Sequence, residues 1–333
     1  MILPKILRPK CKHIIAKGAN LVTEDGKPFK IWGFNWGGHP MLEKKWNIDW
    51  DALVGDFREM HDYGANSVRL PLQYEAFMLN STTPNPAALD KLKQLVKVAE
   101  KTNLYLIVNG LNAFEKKDQP GWYNSMTDQQ RWETQAVFWE AVAGAIGESP
   151  AILAYDLMNE PVIAVDSAKG WLPGNGFGGY FFVQNIALST HGQSIENVMK
   201  LWIYVMTNAI RKHDKRHLIT VGFLAFSVFA TLAPDLGVMS THLYPSSGKM
   251  GVDSLNIQKF KSDKPLVISE VFPMNCSADE LQQFIEQQNK NVSGWMWHYN
   301  GKTLEELKAS GTISDAIFMY AIMKFKEMAP NQK

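Results

Sequence analysis

Eight short apolar, β-branched runs recur along the 333-residue chain, and amphipathic helical patterns fill most of the intervals. The runs are continuous rather than alternating, as in a sheet covered on both faces. Together these observations predict an α/β protein, a (β/α)8 TIM barrel with a short N-terminal β-hairpin. The runs are KIWGFN (30–35), NSVRLP (66–71), LYLIVN (104–109), ILAYDLMN (152–159), HLITVG (217–222), GVMSTHLY (237–244), PLVISE (265–270) and SGWMWHY (293–299). The rival is a doubly wound open sheet, whose phosphate turn would follow the first strand. FNWGGHP has two glycines there but not the spacing G-x-G-x-x-G.

The elements follow in order. Residues 14–30 read as a hairpin turning at Asp25-Gly26, expected to cover the bottom of the barrel. Over 50–63, Leu53, Val54, Phe57 and Met60 form one stripe and Gly64 ends it. Residues 88–101 align Leu89, Leu92, Leu95, Val96 and Ala99, and 194–213 align Val198, Leu201, Trp202, Val205 and Ile210. Residues 278–289 and 304–327 complete the helices. Residues 168–193, rich in Gly and aromatics, form the longest irregular stretch. Loops of that length are uncommon unless functional. There is no linker or 20–50-residue repeat, so residues 1–333 are read as one domain with its barrel core at about 30–327.

Composition narrows the partners. The chain is 46% hydrophobic and 20% charged, with a net charge of +1 and no long charge block. That argues against a nucleic-acid or anionic-membrane surface and fits a neutral polymer or small molecule. The most apolar stretch, 218–233, is too short to span a membrane and reads as a buried strand followed by a helical turn. The start, MILPKILRPKCKH, lacks the apolar core and cleavage site of a signal peptide. Cys11 and Cys276 form neither a metal pattern nor a disulfide framework, and free thiols are expected. The 11 Trp and 10 Tyr suit a sugar cleft, because the apolar face of a pyranose stacks on flat rings. With no H-x-H or H-E-x-x-H, a metallohydrolase is disfavoured.

Reactive groups of such barrels sit at the C-terminal ends of the strands. Those ends carry Asn35 and Trp36; Arg69; Asn109 and Asn112; Asn159 and Glu160; His242 and Tyr244; Glu270; and Trp295, Trp297 and His298. Glu160 follows the fourth run and Glu270 the seventh, across the barrel mouth from each other. Two facing carboxylates, one protonated and one ionised, are the minimal machinery for glycoside hydrolysis. A structural salt bridge is the plainer reading of either acid alone. Trp122, Trp171, Phe177 and Tyr180 fall in loops expected to line the cleft, and His39 is a candidate subsite contact.

The motifs NSVRLPL, YDLMNEP, THLYP and PLVISE, in that order, with GWMWHYN closing the series, resemble the cellulase-like glycoside hydrolase family 5. That family groups retaining β-glycosidases of the (β/α)8 clan, and the likeness runs from about residue 18 to 327. It implies Glu160 as acid/base and Glu270 as nucleophile. It implies Asn159 on the 2-hydroxyl, Arg69 and Tyr244 as partners of the nucleophile, His242 as an orienting histidine and Trp297 as the sugar platform. It further implies a carbohydrate substrate of β-mannan or β-glucan type, no cofactor and no metal, and favours an extracellular or periplasmic setting. A transglycosylase using the same site, or a carbohydrate-binding barrel without turnover, are the alternatives. The family usually carries a histidine at the end of strand 3. LIVNGLNAF has none, and Asn109 or Asn112 stands in that space.

Overall fold

The computed structural model describes residues 11–38, 41–112, 114–115, 120–164, 168–176, 179–224, 234–260 and 262–330. Eight parallel strands close on themselves: β1 (Ile31–Trp36), β2 (Ser67–Pro71), β3 (Tyr105–Asn109), β4 (Ile152–Asn159), β5 (Leu218–Phe223), β6 (Met239–His242), β7 (Leu266–Glu270) and β8 (Gly294–Tyr299). Each pairs with the next in sequence, and β8 returns to β1, with Trp295 opposite Trp32 and His298 opposite Asn35. Apart from His298, every strand residue is buried. That is why the runs carry no polar alternation: one face fills the barrel and the other lies beneath helices.

The outer layer is α1 (Trp50–Asp62), α2 (Pro86–Thr102), α3 (Asp128–Ile146), α4 (Ile195–Arg211), α5 (Met250–Lys259), α6 (Ala278–Gln288), α7 (Leu304–Ser310) and α8 (Ile313–Met328). The stripe read over 304–327 is thus two helices, separated at Gly311, which adopts φ +67°. Asn103 ends α2 in the left-handed conformation. Thr127, Ser277 and Thr303 open α3, α6 and α7 with reciprocal capping boxes.

Beneath the barrel, residues Ile14–Lys17, Asn20–Thr23 and Pro28–Phe29 form a three-stranded antiparallel sheet turning at Gly26. Phe29 meets Tyr105 edge-on, and the Tyr105 hydroxyl donates to the Lys12 carbonyl. Both thiols are free, Cys11 buried and Cys276 half-buried. Among the described residues no helix is long and apolar enough to cross a membrane.

The stretch after β4 corrects the sequence reading. Tyr180–Phe181 pairs with Phe114–Glu115, and Gln184–Ala187 runs parallel to Pro161–Ile163. Strands this short leave no periodicity, so glycines and aromatics dominate the sequence there.

Candidate active site

Two strands are irregular just where they reach the top of the barrel. Opposite β5, Asp156 aligns with Thr220 but Asn159 with Gly222, so β4 carries one extra residue. Between β6 and β7, Thr241 aligns with Ile268 but His242 with Glu270, so β7 carries one as well. Bulges of this kind re-aim side chains. The first brings Asp156 and Asn159 onto a common partner, although residues three apart on a regular strand face opposite ways. The second means that Glu270 is not aimed simply by its even spacing from Ile268.

That common partner is Arg69, which is buried. Its Nε donates to Asp156 Oδ2 (2.7 Å), Nη1 to Glu270 Oε1 (2.7 Å) and Asn35 Oδ1 (3.0 Å), and Nη2 to Asn159 Oδ1 (2.9 Å). Burial alone would disfavour the guanidinium, but the Asp156 and Glu270 carboxylates more than offset it and raise its pKa. Asn35 is fixed in turn by donating to the carbonyls of Ser269 and Trp297. Gly222 donates its N–H to Asp156 Oδ1 at 2.7 Å. A Cβ at Gly222 would stand 2.6 Å from Arg69 Nη2 and 3.1 Å from His242 Nε2, so only glycine fits.

Glu270 shares this network. Tyr244 donates its hydroxyl to Oε2 at 2.5 Å, His242 Nδ1 stands 3.4 Å away and His298 Nε2 3.7 Å away. Burial pushes the carboxyl up, but His242, Arg69, His298 and the Tyr244 hydrogen bond hold it at about 2. The acid is therefore ionised at any ordinary pH. The same contacts push the Tyr244 phenol well above its usual range, burial first and the Glu270 charge second.

Glu160 is held differently. Its backbone is left-handed, with φ +46°. A non-glycine residue there stores about 1–3 kcal/mol of strain, which persists only when the surroundings enforce it. Here the Glu160 N–H donates to the Gly222 carbonyl and its own carbonyl accepts from Gln184. The Glu160 carboxylate is 2.8 Å from His242 Nδ1. One oxygen of Glu160, one of Glu270 and a nitrogen of His242 all lie within 4.8 Å of one another.

Most sequence candidates converge here: Glu160, Glu270, Arg69, Asn159, His242, Tyr244 and Asn35. Asn159 also donates to the Phe182 carbonyl, tying the segment after β4 to the site. Asn109 is buried, donates weakly to the Asp156 carbonyl and accepts from half-buried Asn112. Neither bonds to Glu160 or Glu270.

Three tryptophans do not belong. Trp297 is 0% exposed, packs between Trp32 and Phe325 of α8, and leaves its Nε1 without a partner. On β8 the helix-facing positions are Trp295 and Trp297, and His298 faces the site. Trp36, one position beyond Asn35, turns outward to donate to Asp56 of α1 at 2.9 Å. Trp171 is buried edge-on against Tyr123 and donates to Asn124. Each is a packing anchor. Trp122 also packs inward, against Tyr74 and Tyr123, and Tyr180 is half-buried near Phe182. His39 and Phe177 lie outside the described residues. The sequence reading missed Asp156 and Gly222. An acid embedded in the apolar run ILAYDLMN was the available signal for the first.

A closed (β/α)8 barrel with two glutamates meeting at its C-terminal mouth is the arrangement that retaining glycosidases use. The comparisons narrow that class. Cellulase (glycosyl hydrolase family 5) matches residues 22–302, so the chain belongs to that family and is a glycosyl hydrolase. A probable mannan endo-1,4-β-mannosidase A-2 from Aspergillus terreus is 24% identical over 320 residues, covering 84% of this chain and 67% of that protein. Among solved structures, the exo-β-1,4-mannosidase of Opitutaceae bacterium strain TAV5 has a TM-score of 0.71 at 14% identity, covering 96% of this chain and 62% of that one. A β-glucanase of Saccharophagus degradans, solved with cellotetraose, has a TM-score of 0.66 at 17% identity and covers 98% of both chains. These structural likenesses establish the fold.

Proposed function

We propose that the protein is a retaining β-glycosidase that cleaves β-linked poly- or oligosaccharides of mannan or glucan type by double displacement. Glu270 attacks the anomeric carbon while Glu160 protonates the leaving oxygen. A water deprotonated by Glu160 then releases the sugar from Glu270. The observation that carries this reading is the approach of the two acids, one oxygen of each within 4.8 Å. Retaining enzymes hold their carboxyl groups about 5–5.5 Å apart, whereas inverting enzymes leave room for a water at about 6.5–9.5 Å.

The environments fit the division of labour. Glu270 sits against a permanent cation and a phenol, as an ionised nucleophile requires. Glu160 touches neither and has His242 as its polar neighbour. The mannosidase and mannanase names among the relatives favour β-mannans, with β-glucans second. The test is to incubate wild type and Glu270→Ala with aryl β-glycosides, β-mannans and β-glucans, and to follow product anomers by proton NMR. Retention in the wild type and loss of turnover in the variant are expected. Inverted product would rule out double displacement.

A further inference from the structure

His298 is the strand-8 residue that turns into the site; its charge, when protonated, bears on Glu270, but its contact with Tyr244 has no role above. Its side chain is 27% exposed, its ring lies parallel to Tyr244 (12° between planes, centroids 6.1 Å apart), and it makes a T-shaped contact with Phe272 (5.7 Å). Its Nε2 is 3.0 Å from the Tyr244 oxygen. The Tyr244 hydroxyl has one hydrogen, and an ionised Glu270 can only accept. That hydrogen therefore points at Glu270 Oε2, 2.5 Å away. The Tyr244 oxygen must then accept from His298, so Nε2 carries the proton and Nδ1 is bare in the neutral ring.

We propose that His298 is a positioning residue for the nucleophile. The chain His298 Nε2–H to Tyr244 O–H to Glu270 Oε2 fixes the Tyr244 proton on Glu270, and the neutral imidazole is the form that supports attack. Hydrogen bonds in series polarise one another. Protonation would put a cation 3.7 Å from Glu270 Oε2, lowering its nucleophilicity. The other groups facing His298 are Glu270, His242, Arg69 and Glu160, and burial outweighs the pull of the acids to keep its pKa below the ordinary histidine value. Loss of the neutral His298 ring as pH falls is therefore expected to contribute to the acid limb of kcat/KM.

This role presupposes Glu270 as the nucleophile, so one readout is independent of turnover. Histidine labelled with nitrogen-15, with His298→Gln used for assignment, reports which ring nitrogen is protonated in the free enzyme. The Nε2–H tautomer is expected, and the Nδ1–H tautomer would overturn the assignment even if no substrate is found. In kinetics, His298→Phe keeps a ring between Tyr244 and Phe272 but removes the donor, and kcat should fall about tenfold with little change in KM. His298→Gln keeps a donor without a titrating charge. It should stay within about threefold of wild type at neutral pH and shift the acid limb down by about one unit or more. An acid limb unmoved in His298→Gln, or a change confined to KM in His298→Phe, would contradict the role. Near-ultraviolet circular dichroism of both variants separates these outcomes from misfolding.

Discussion

The two ends of the barrel carry nearly the same residue types to opposite ends. At the bottom, Tyr155 donates to Asp214 (2.8 Å), His217 pairs with Asp214 (2.6 Å), and His13, just before the N-terminal sheet, meets His217 (3.1 Å). Two backbone N–H groups complete Asp214, and Arg211 donates to the carbonyls of Asp214 and His217. These groups are mutually paired, and a sheet covers them. At the top, Arg69, Asp156, Glu270, Tyr244 and His242 are just as interlinked. There the strands bulge, Glu160 sits at positive φ, His242 Nε2 has no partner, and both glutamates meet at the mouth. A buried Asp–His–Tyr cluster is therefore no mark of function by itself. What distinguishes the working end is the combination of bulged strands, a glutamate held at positive φ and an unpartnered His242 nitrogen beside both acids.

The largest expected effects come from breaking the top. Glu270→Ala should lower kcat about 10^4-fold or more with folding intact, the scale seen when a covalent nucleophile is removed. Steady-state kinetics with thermal melting would check both parts. Gly222→Ala comes next. Its methyl must displace Arg69 or His242, with an overpacking cost of about 1–3 kcal/mol and a fall in kcat. An unchanged kcat would mean that the Arg69 position is not critical.

Trp297→Phe sharpens the contrast between cleft and core. A sugar platform would raise KM, whereas a buried anchor should cost about 1–3 kcal/mol of stability and leave KM alone. Denaturant unfolding and KM measured on the same preparation decide between them. At the bottom, His13→Ala should cost about 1 kcal/mol or less and leave kcat/KM unchanged.

Acid stability tests both ends at once. Glu270 titrates at about 2 in the fold against 4.5 in a free chain. In Asp214, burial pushes the carboxyl up, but the His217 hydrogen bond and charge and the backbone N–H groups bring it well below its ordinary value. A depressed carboxyl contributes stability above its unfolded pKa, and that contribution drains away as pH falls through the folded value. Glu270→Gln should flatten the loss of stability below about pH 4.5, and Asp214→Asn below about pH 3.8. Only the first should also abolish turnover.

The barrel was legible because β-branched runs doubly buried in a sheet leave a strong signal. The pair Glu160 and Glu270 was legible because an acid at the end of such a run is costly without purpose. Other features were hidden for physical reasons. The buried face of α3 begins with Arg131, Thr134 and Gln135, each hydrogen-bonded, so no apolar stripe announces it. The orientation of β8 could not be read, since tryptophan suits a cleft and a core equally. A one-residue choice of face separates Trp297 from His298. Bulges defeat alternation altogether, which is why Asp156 escaped notice.

The central claim is that Glu270 forms a bond to the sugar. The most direct measurement is to incubate the enzyme with activated 2-deoxy-2-fluoro β-mannoside and β-glucoside, then map the labelled peptide by mass spectrometry. One fluoroglycosyl adduct, on the peptide containing Glu270, is the predicted result. Turnover of the parent glycosides with inversion and no adduct, or an adduct on Glu160, would contradict it.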